Sequence, residues 1–118
     1  EQLMCQHSEE GHTDCLGIFP REGMRFVSKQ HCDKVPQMGW NSIHELKTPL
    51  FAEVCEGDFI YNVHSFYVPH SREFTIATCN YILPYSAALH RDNFYATQFH
   101  PEKSGSVGEK ILKNFLEL

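Results

Sequence analysis

The stretch Asn93–Glu117, NFYATQFHPEKSGSVGEKILKNFLE, constrains the chain more than any other. It opens on a run of β-formers, Phe94, Tyr95, Thr97 and Phe99, which predicts a strand over Phe94–Phe99. Pro101 has no N–H for a ladder and stops it. A Ser/Gly loop follows, then a helix: Ser106 and Glu109 have capping-box spacing, and Val107, Ile111, Leu112, Phe115 and Leu116 fall on one stripe. His100 and Glu102 therefore sit where a strand gives way to a loop, the rim at which open α/β sheets bind ligands. Residues i and i+2 of an extended segment point the same way. A Glu102 carboxylate can thus reach the His100 ring, fix its tautomer and hold it as a base, the back half of a nucleophile–His–acid triad. The plainer alternative is a solvated His and Glu on a surface loop.

At 118 residues the chain is one domain at most, spanning 1–118, and its 42% hydrophobic content suffices for a packed core. The formal net charge is −5 and no Lys/Arg run exceeds one residue, which argues against a nucleic-acid partner. No apolar run approaches a membrane span and no signal-peptide pattern is visible, so a cytoplasmic protein without membrane contact is expected. Five cysteines, an odd number with no CxxC pair, fit reduced thiols better than a disulfide framework. Eight histidines raise the question of a metal, but only His31-Cys32-Asp33 clusters and no ligand spacing appears; no metal is expected.

The first eight residues, Glu1–Ser8, read as the end of a helix. Short strands are expected at Leu16–Phe19, ended by Pro20, and at Met24–Val27. Lys34–Asn41, KVPQMGWN, reads as a loop in which Pro36, Met38 and Trp40 alternate around Gly39. A lone Trp is usually core, yet an apolar stripe on a loop suits a partner surface. Thr48–Val54 reads as a single-turn helix with Pro49 at its first position, closed by Gly57. Asp58–His64 and Glu73–Asn80 read as strands, with a turn over Val68–Arg72 between them. Ala87–Leu89 and Phe94–Phe99 should form a hairpin around His90–Asn93. His64 also ends a strand, but no acid stands at i+2, so His100 is the better base. Cys5 lies in a helical pattern without glycines, which offers no exposed turn to activate a thiol; it reads as a buried structural residue.

TQFHPEKSG followed by ILKNFLE resembles the C-terminal end of the class I (triad) glutamine amidotransferases. KVPQMGWN and YNVHSFY (Tyr61–Tyr67) narrow the resemblance to the glutaminase subunits of imidazole glycerol phosphate synthases. HPE alone occurs across the superfamily; with the other two stretches in this order it is specific. The resemblance implies an α/β fold, the flavodoxin-like three-layer sandwich of that family. It also implies a chain truncated at the N-terminus, because the upstream strands and the Gly-x-Cys-x-Gly nucleophile elbow are missing. His100 and Glu102 would then complete a Cys–His–Glu triad that hydrolyses glutamine to glutamate and ammonia without a cofactor. The resemblance places Gln2, Ser65 and Phe66 at the substrate, Ser65 and Phe66 through their backbone. It places Pro36, Gln37, Met38, Trp40, Tyr61 and Lys103 against the (β/α)8 barrel of a cyclase subunit, which receives the ammonia. Without the cysteine, the fragment alone should be inactive. Two alternatives stay open: another class I amidotransferase, against which KVPQMGWN speaks, and a non-catalytic module of the same fold.

Overall fold

The computed structural model describes residues 5–8, 13–14, 17, 19–27 and 37–118. The strands are β1 (Cys5–Ser8), β2 (Thr13–Asp14), β3 (Phe19–Arg25), β4 (Gln37–Ser42), β5 (Phe59–His64), β6 (Phe66–Tyr67), β7 (Thr75–Tyr81), β8 (Leu83–Arg91) and β9 (Phe94–Thr97); one helix, α1, spans Gly105–Leu116. They form three sheets, in the orders β2-β1-β3-β6, β4-β5 and β7-β8-β9. Among the described residues β1 and β3 are the one parallel pair; the others run antiparallel. β9, the strand that leads to His100, is the edge of an antiparallel meander.

Several sequence expectations are corrected. The expected helix over Glu1–Ser8 is a strand where it is described: β1 pairs with both β2 and β3, and that long-range pairing overrides a local helical pattern. Pro20 does not end a strand: β3 runs through it from Phe19 to Arg25, because Pro20 falls where the β1–β3 register shifts, a bulge that needs no proline N–H. Of the expected strand Leu16–Phe19, residues 16 and 18 lie outside the described residues. The loop expected over Lys34–Asn41 is strand β4 from Gln37 onward, paired residue for residue with β5 from Gln37–His64 to Ser42–Phe59. Gly39 there has φ +137°, a backbone geometry that favours glycine.

Other expectations hold. The hairpin is present, with β8 starting earlier, at Leu83, and a two-residue turn of Asp92 and Asn93 in which Asp92 takes φ +54°. Pro49 opens a 3-10 turn, shorter than expected, over Pro49–Phe51, and the Thr48 hydroxyl accepts from the Leu50 N–H.

The sheets share backbone. His44 and Thr78 exchange both N–H···O=C bonds at 2.8 Å, and the Lys47 N–H donates to Ile76 O at 2.9 Å. Residues 43–47 therefore continue the β4–β5 ribbon into the edge of β7. The main core lies beneath this junction: Ile43 and Ile60 from the ribbon side, Ile76, Ala77 and Cys79 of β7, Tyr85, Ala87 and Ala88 of β8, with Leu50, Phe51, Phe99 and Ile111. Phe26 is its aromatic hub, stacked on Tyr67 at 4.8 Å and edge-on to Tyr85 at 5.5 Å.

α1 starts one residue before the expected capping box, so Ser106 lies inside it and Ser104 takes the N-cap position. Its buried face runs through Gly108 and Ile111, with Val107 packed at the margin. Asn114 extends that line: its Nδ2 donates to Leu50 O at 2.9 Å and to Ala52 O at 2.8 Å, latching the helix to the 3-10 turn. Leu112, Phe115 and Leu116, expected on the buried stripe, are exposed instead, Leu116 by 83%. A helix docked by one narrow face leaves the flank of its apolar stripe in solvent.

Candidate active site

His100 follows the end of β9 by three residues and precedes a 3-10 turn over Pro101–Lys103. Its backbone is extended, φ −98° and ψ 99°, while Glu102 already belongs to the turn. The pair meets across this change of conformation rather than along a continuous strand. His100 Nδ1 and Glu102 Oε1 are 2.8 Å apart, both partly open to solvent. A carboxylate can only accept, so His100 Nδ1 carries a proton and Nε2 is left as the basic nitrogen of the neutral ring. The Glu102 carboxyl is held below the usual carboxylate range, chiefly by its own backbone N–H and then by the His100 ring and the Lys103 charge.

Two hydrogen bonds fasten this turn to β5 and a third closes the ring within it. The His100 N–H donates to Tyr61 O at 3.1 Å, the Tyr61 N–H donates to Ser104 Oγ at 3.0 Å, and the Ser104 hydroxyl donates to His100 O at 2.6 Å. Ser104 is 1% exposed. The helix supports the same turn from behind. A Cβ on Gly108 would lie 1.9 Å from Pro101 O and 2.9 Å from Ser104 Cβ, an approach that only glycine allows. Neither Ser104 nor Gly108 stands out in the sequence. A small residue at helical spacing from HPE is the one signal available for Gly108.

His64 is engaged elsewhere. Its Nδ1 lies 2.7 Å from Phe66 O, to which it donates, and its Nε2 lies 3.2 Å from Tyr85 Oη. Burial pushes its pKa down, with the Phe66 carbonyl working the other way and the nearby His100 adding to the fall. A buried ring with both nitrogens within hydrogen-bond distance of a neighbour is a structural group, in keeping with the missing acid at i+2. The same turn presents Ser65 and Phe66: Ser65 O accepts the Phe26 N–H at 2.9 Å, and the Arg25 guanidinium lies 5.9 Å from the centre of the Phe66 ring.

β4 and β5 divide the expected partner residues between two faces. Met38 and Trp40 stand on the outer face, 67% and 54% exposed, opposite Val63 and Tyr61. The Trp40 and Tyr61 rings meet edge-on at 5.7 Å. Lys103 is exposed at the end of the 3-10 turn. Gln37 is corrected: it is 2% exposed and on the inner face, accepting the Tyr85 hydroxyl at 2.9 Å and bonding the Asn41 side chain. Alternation along a strand turns residue 37 away from 38 and 40. Pro36 and Gln2 lie outside the described residues. Asn62, also on the inner face, has both amide atoms buried with no hydrogen-bond partner among the described residues. Among the described residues no group of three or more His, Cys, Asp and Glu could hold a metal ion. No helix there is long and apolar enough to cross a membrane. Neither Cys55 nor Cys79 forms a disulfide, and the Cys79 thiol donates to Ser42 O at 3.4 Å.

A strand-end histidine oriented by a glutamate, close to a histidine–serine–phenylalanine turn, is what a triad amidotransferase would contribute from its C-terminal half. The family model for class I glutamine amidotransferases matches residues 2–118, and the chain belongs to that family. Within it, the chain is 62% identical over 117 residues to the imidazole glycerol phosphate synthase subunit HisH of Bacteroides fragilis, covering 99% of this chain and 59% of that protein. The HisH subunits of Bacteroides thetaiotaomicron and Methanosarcina mazei are 61% and 45% identical, over 99% and 100% of this chain and again 59% of theirs. The chain thus spans about three fifths of the length of these relatives. Among solved structures, a GMP synthase protein from Thermoplasma acidophilum superposes with a TM-score of 0.63 at 20% identity, over 84% of this chain and 48% of that one. At that identity the match speaks for the fold alone.

Proposed function

We propose that these residues form the C-terminal part of the glutaminase subunit of an imidazole glycerol phosphate synthase, a cytoplasmic enzyme of histidine biosynthesis. The observation that carries this reading is the 2.8 Å contact between His100 Nδ1 and Glu102 Oε1 at a strand end, within a chain 62% identical to HisH. The full protein would be a flavodoxin-like three-layer sandwich with its nucleophile elbow upstream of Gln2. A cysteine thiolate from that elbow attacks the glutamine side-chain carbonyl, and backbone donors hold the oxyanion. His100 passes the thiol's proton to the departing nitrogen, the C–N bond breaks and ammonia leaves. Water, deprotonated by His100, then cleaves the thioester to glutamate and restores the thiol. Glu102 keeps the ring in the Nδ1–H tautomer and stabilises the imidazolium.

Gln2 and the backbone of Ser65 and Phe66 would hold the substrate. Met38, Trp40, Tyr61 and Lys103, with Pro36, would face the (β/α)8 cyclase subunit that takes up the ammonia. His100→Ala in the full-length subunit should lower glutaminase turnover by about 10³-fold or more, and Glu102→Gln by less. Near-normal turnover of a folded His100→Ala enzyme overturns the assignment.

A further inference from the structure

We infer that Ser104 is a positioning residue for the His100–Glu102 pair: its buried hydroxyl closes a ring of three hydrogen bonds that fixes the His100 backbone to β5. The inference rests on the proposed glutaminase reading of His100.

The ring runs from the His100 N–H to Tyr61 O, from the Tyr61 N–H to Ser104 Oγ, and from the Ser104 hydroxyl to His100 O. One hydroxyl thus serves as both donor and acceptor, at 2.6 and 3.0 Å. His100 O also accepts the Lys103 N–H at 3.0 Å, a bond within the turn that does not reach β5, so the Ser104 hydroxyl is what links that carbonyl to the strand. Its effect falls on the peptide planes either side of the His100 Cα. With N–H and C=O both tied, rotation of the backbone that carries the imidazole is restricted in both directions. The side-chain contact to Glu102 does not provide this restraint, because both groups are solvent-exposed and Glu102 rides on the same short turn.

Ser104 cannot turn away. It is 1% exposed, and Gly108 lets the helix press close enough that an added Cβ would meet both Pro101 O and Ser104 Cβ. The side chain is not capping α1, since it makes no hydrogen bond to that helix's N–H groups. A serine at an N-cap position is normally retained for that bond. Here its hydroxyl is turned onto the strand and the histidine instead.

Ser104 is 1% exposed and its hydroxyl is bonded to the backbone of Tyr61 and His100, so its removal should act on turnover rather than on glutamine binding. Misplacing a catalytic group by about one ångström costs up to about a hundredfold. In the full-length glutaminase with its synthase partner, Ser104→Ala should lower kcat about tenfold to a hundredfold with KM for glutamine within about twofold. Ser104→Cys, with a longer and weaker hydrogen-bonding group, should fall between. The downfield Nδ1–H proton resonance of His100 should broaden or vanish in the same order, while the folded fraction stays constant at the assay temperature.

Unchanged kcat in either folded variant overturns the inference, as does a loss of activity that merely follows the unfolded fraction. If Ser104→Ala does not fold, Ser104→Cys decides alone by the same two readouts. His100→Ala run in parallel separates the failures: an active His100→Ala enzyme removes the glutaminase reading. A dead one beside a fully active Ser104→Ala removes only the role of Ser104.

Discussion

Glu102 shows how little burial an oriented contact needs. Its carboxyl is open to solvent, yet its pKa is drawn down, first by its own N–H and only then by the His100 ring. A group whose folded pKa is depressed contributes above its unfolded value and is lost as pH falls through the folded one. The restraint that Glu102 places on His100 should therefore persist below the ordinary glutamate range, whose reference is 4.5. A carboxyl-carbon NMR titration of His100→Ala should move the Glu102 midpoint only part of the way back, because the larger cause remains; full return to 4.5 would reverse the ranking. The contact itself is legible in sequence, since His-Pro-Glu needs only local geometry to bring i and i+2 together. Ser104 is not. In a Ser-Gly-Ser run it reads as loop, and the group that explains it, the Tyr61 N–H, is 43 positions away. Gln37 misleads for a related reason: a polar residue beside Met38 and Trp40 reads as their neighbour, and only the strand's alternation separates them.

The β4–β5 ribbon and α1 are the two elements on which the site rests, and each is half legible. Pro36 and Gly39 mark Lys34–Asn41 as a loop by local rules; six consecutive pairings with β5 make it a strand from Gln37 onward. The apolar stripe survives that change because residues 38 and 40 share a face in either conformation. In the full-length subunit, Met38→Asp with Trp40→Ala should weaken binding to the cyclase by several kcal/mol, as truncation of interface hot spots does. Unchanged affinity would return Trp40 to a purely structural role beside Tyr61. The α1 stripe reads too wide, because amphipathicity gives the angle of the apolar face but not how much of it a neighbour covers. Gly108 is where the neighbour comes closest. Gly108→Ala must displace backbone, either Pro101 or the helix, so helix propensity gained is outweighed by overpacking of about 1–3 kcal/mol. A lower urea midpoint with reduced turnover is expected; a more stable, fully active variant would show that the approach is looser than 1.9 Å implies.

At the scale of the molecule, class and likeness are readable while sheet layout is not. The family is written in three short stretches, whereas strand order depends on partners far apart, such as β3 beside both β1 and β6. Five residues, 43–47, have a further consequence for how the structure opens. Through His44, Thr78, Lys47 and Ile76 they carry a backbone ladder from the ribbon that bears Trp40 into the meander that leads to His100. The two sheets should therefore exchange their amide hydrogens as one cooperative unit rather than as two. In native-state deuterium exchange, the His44, Lys47 and Thr78 amides should open with the same free energy as the central amides of β4, β5 and β7. Earlier opening of His44 and Lys47 together with the ribbon would mean instead that the outer face can fluctuate without disturbing the histidine. Common opening would mean that whatever quiets the ribbon also quiets the turn on which His100 sits.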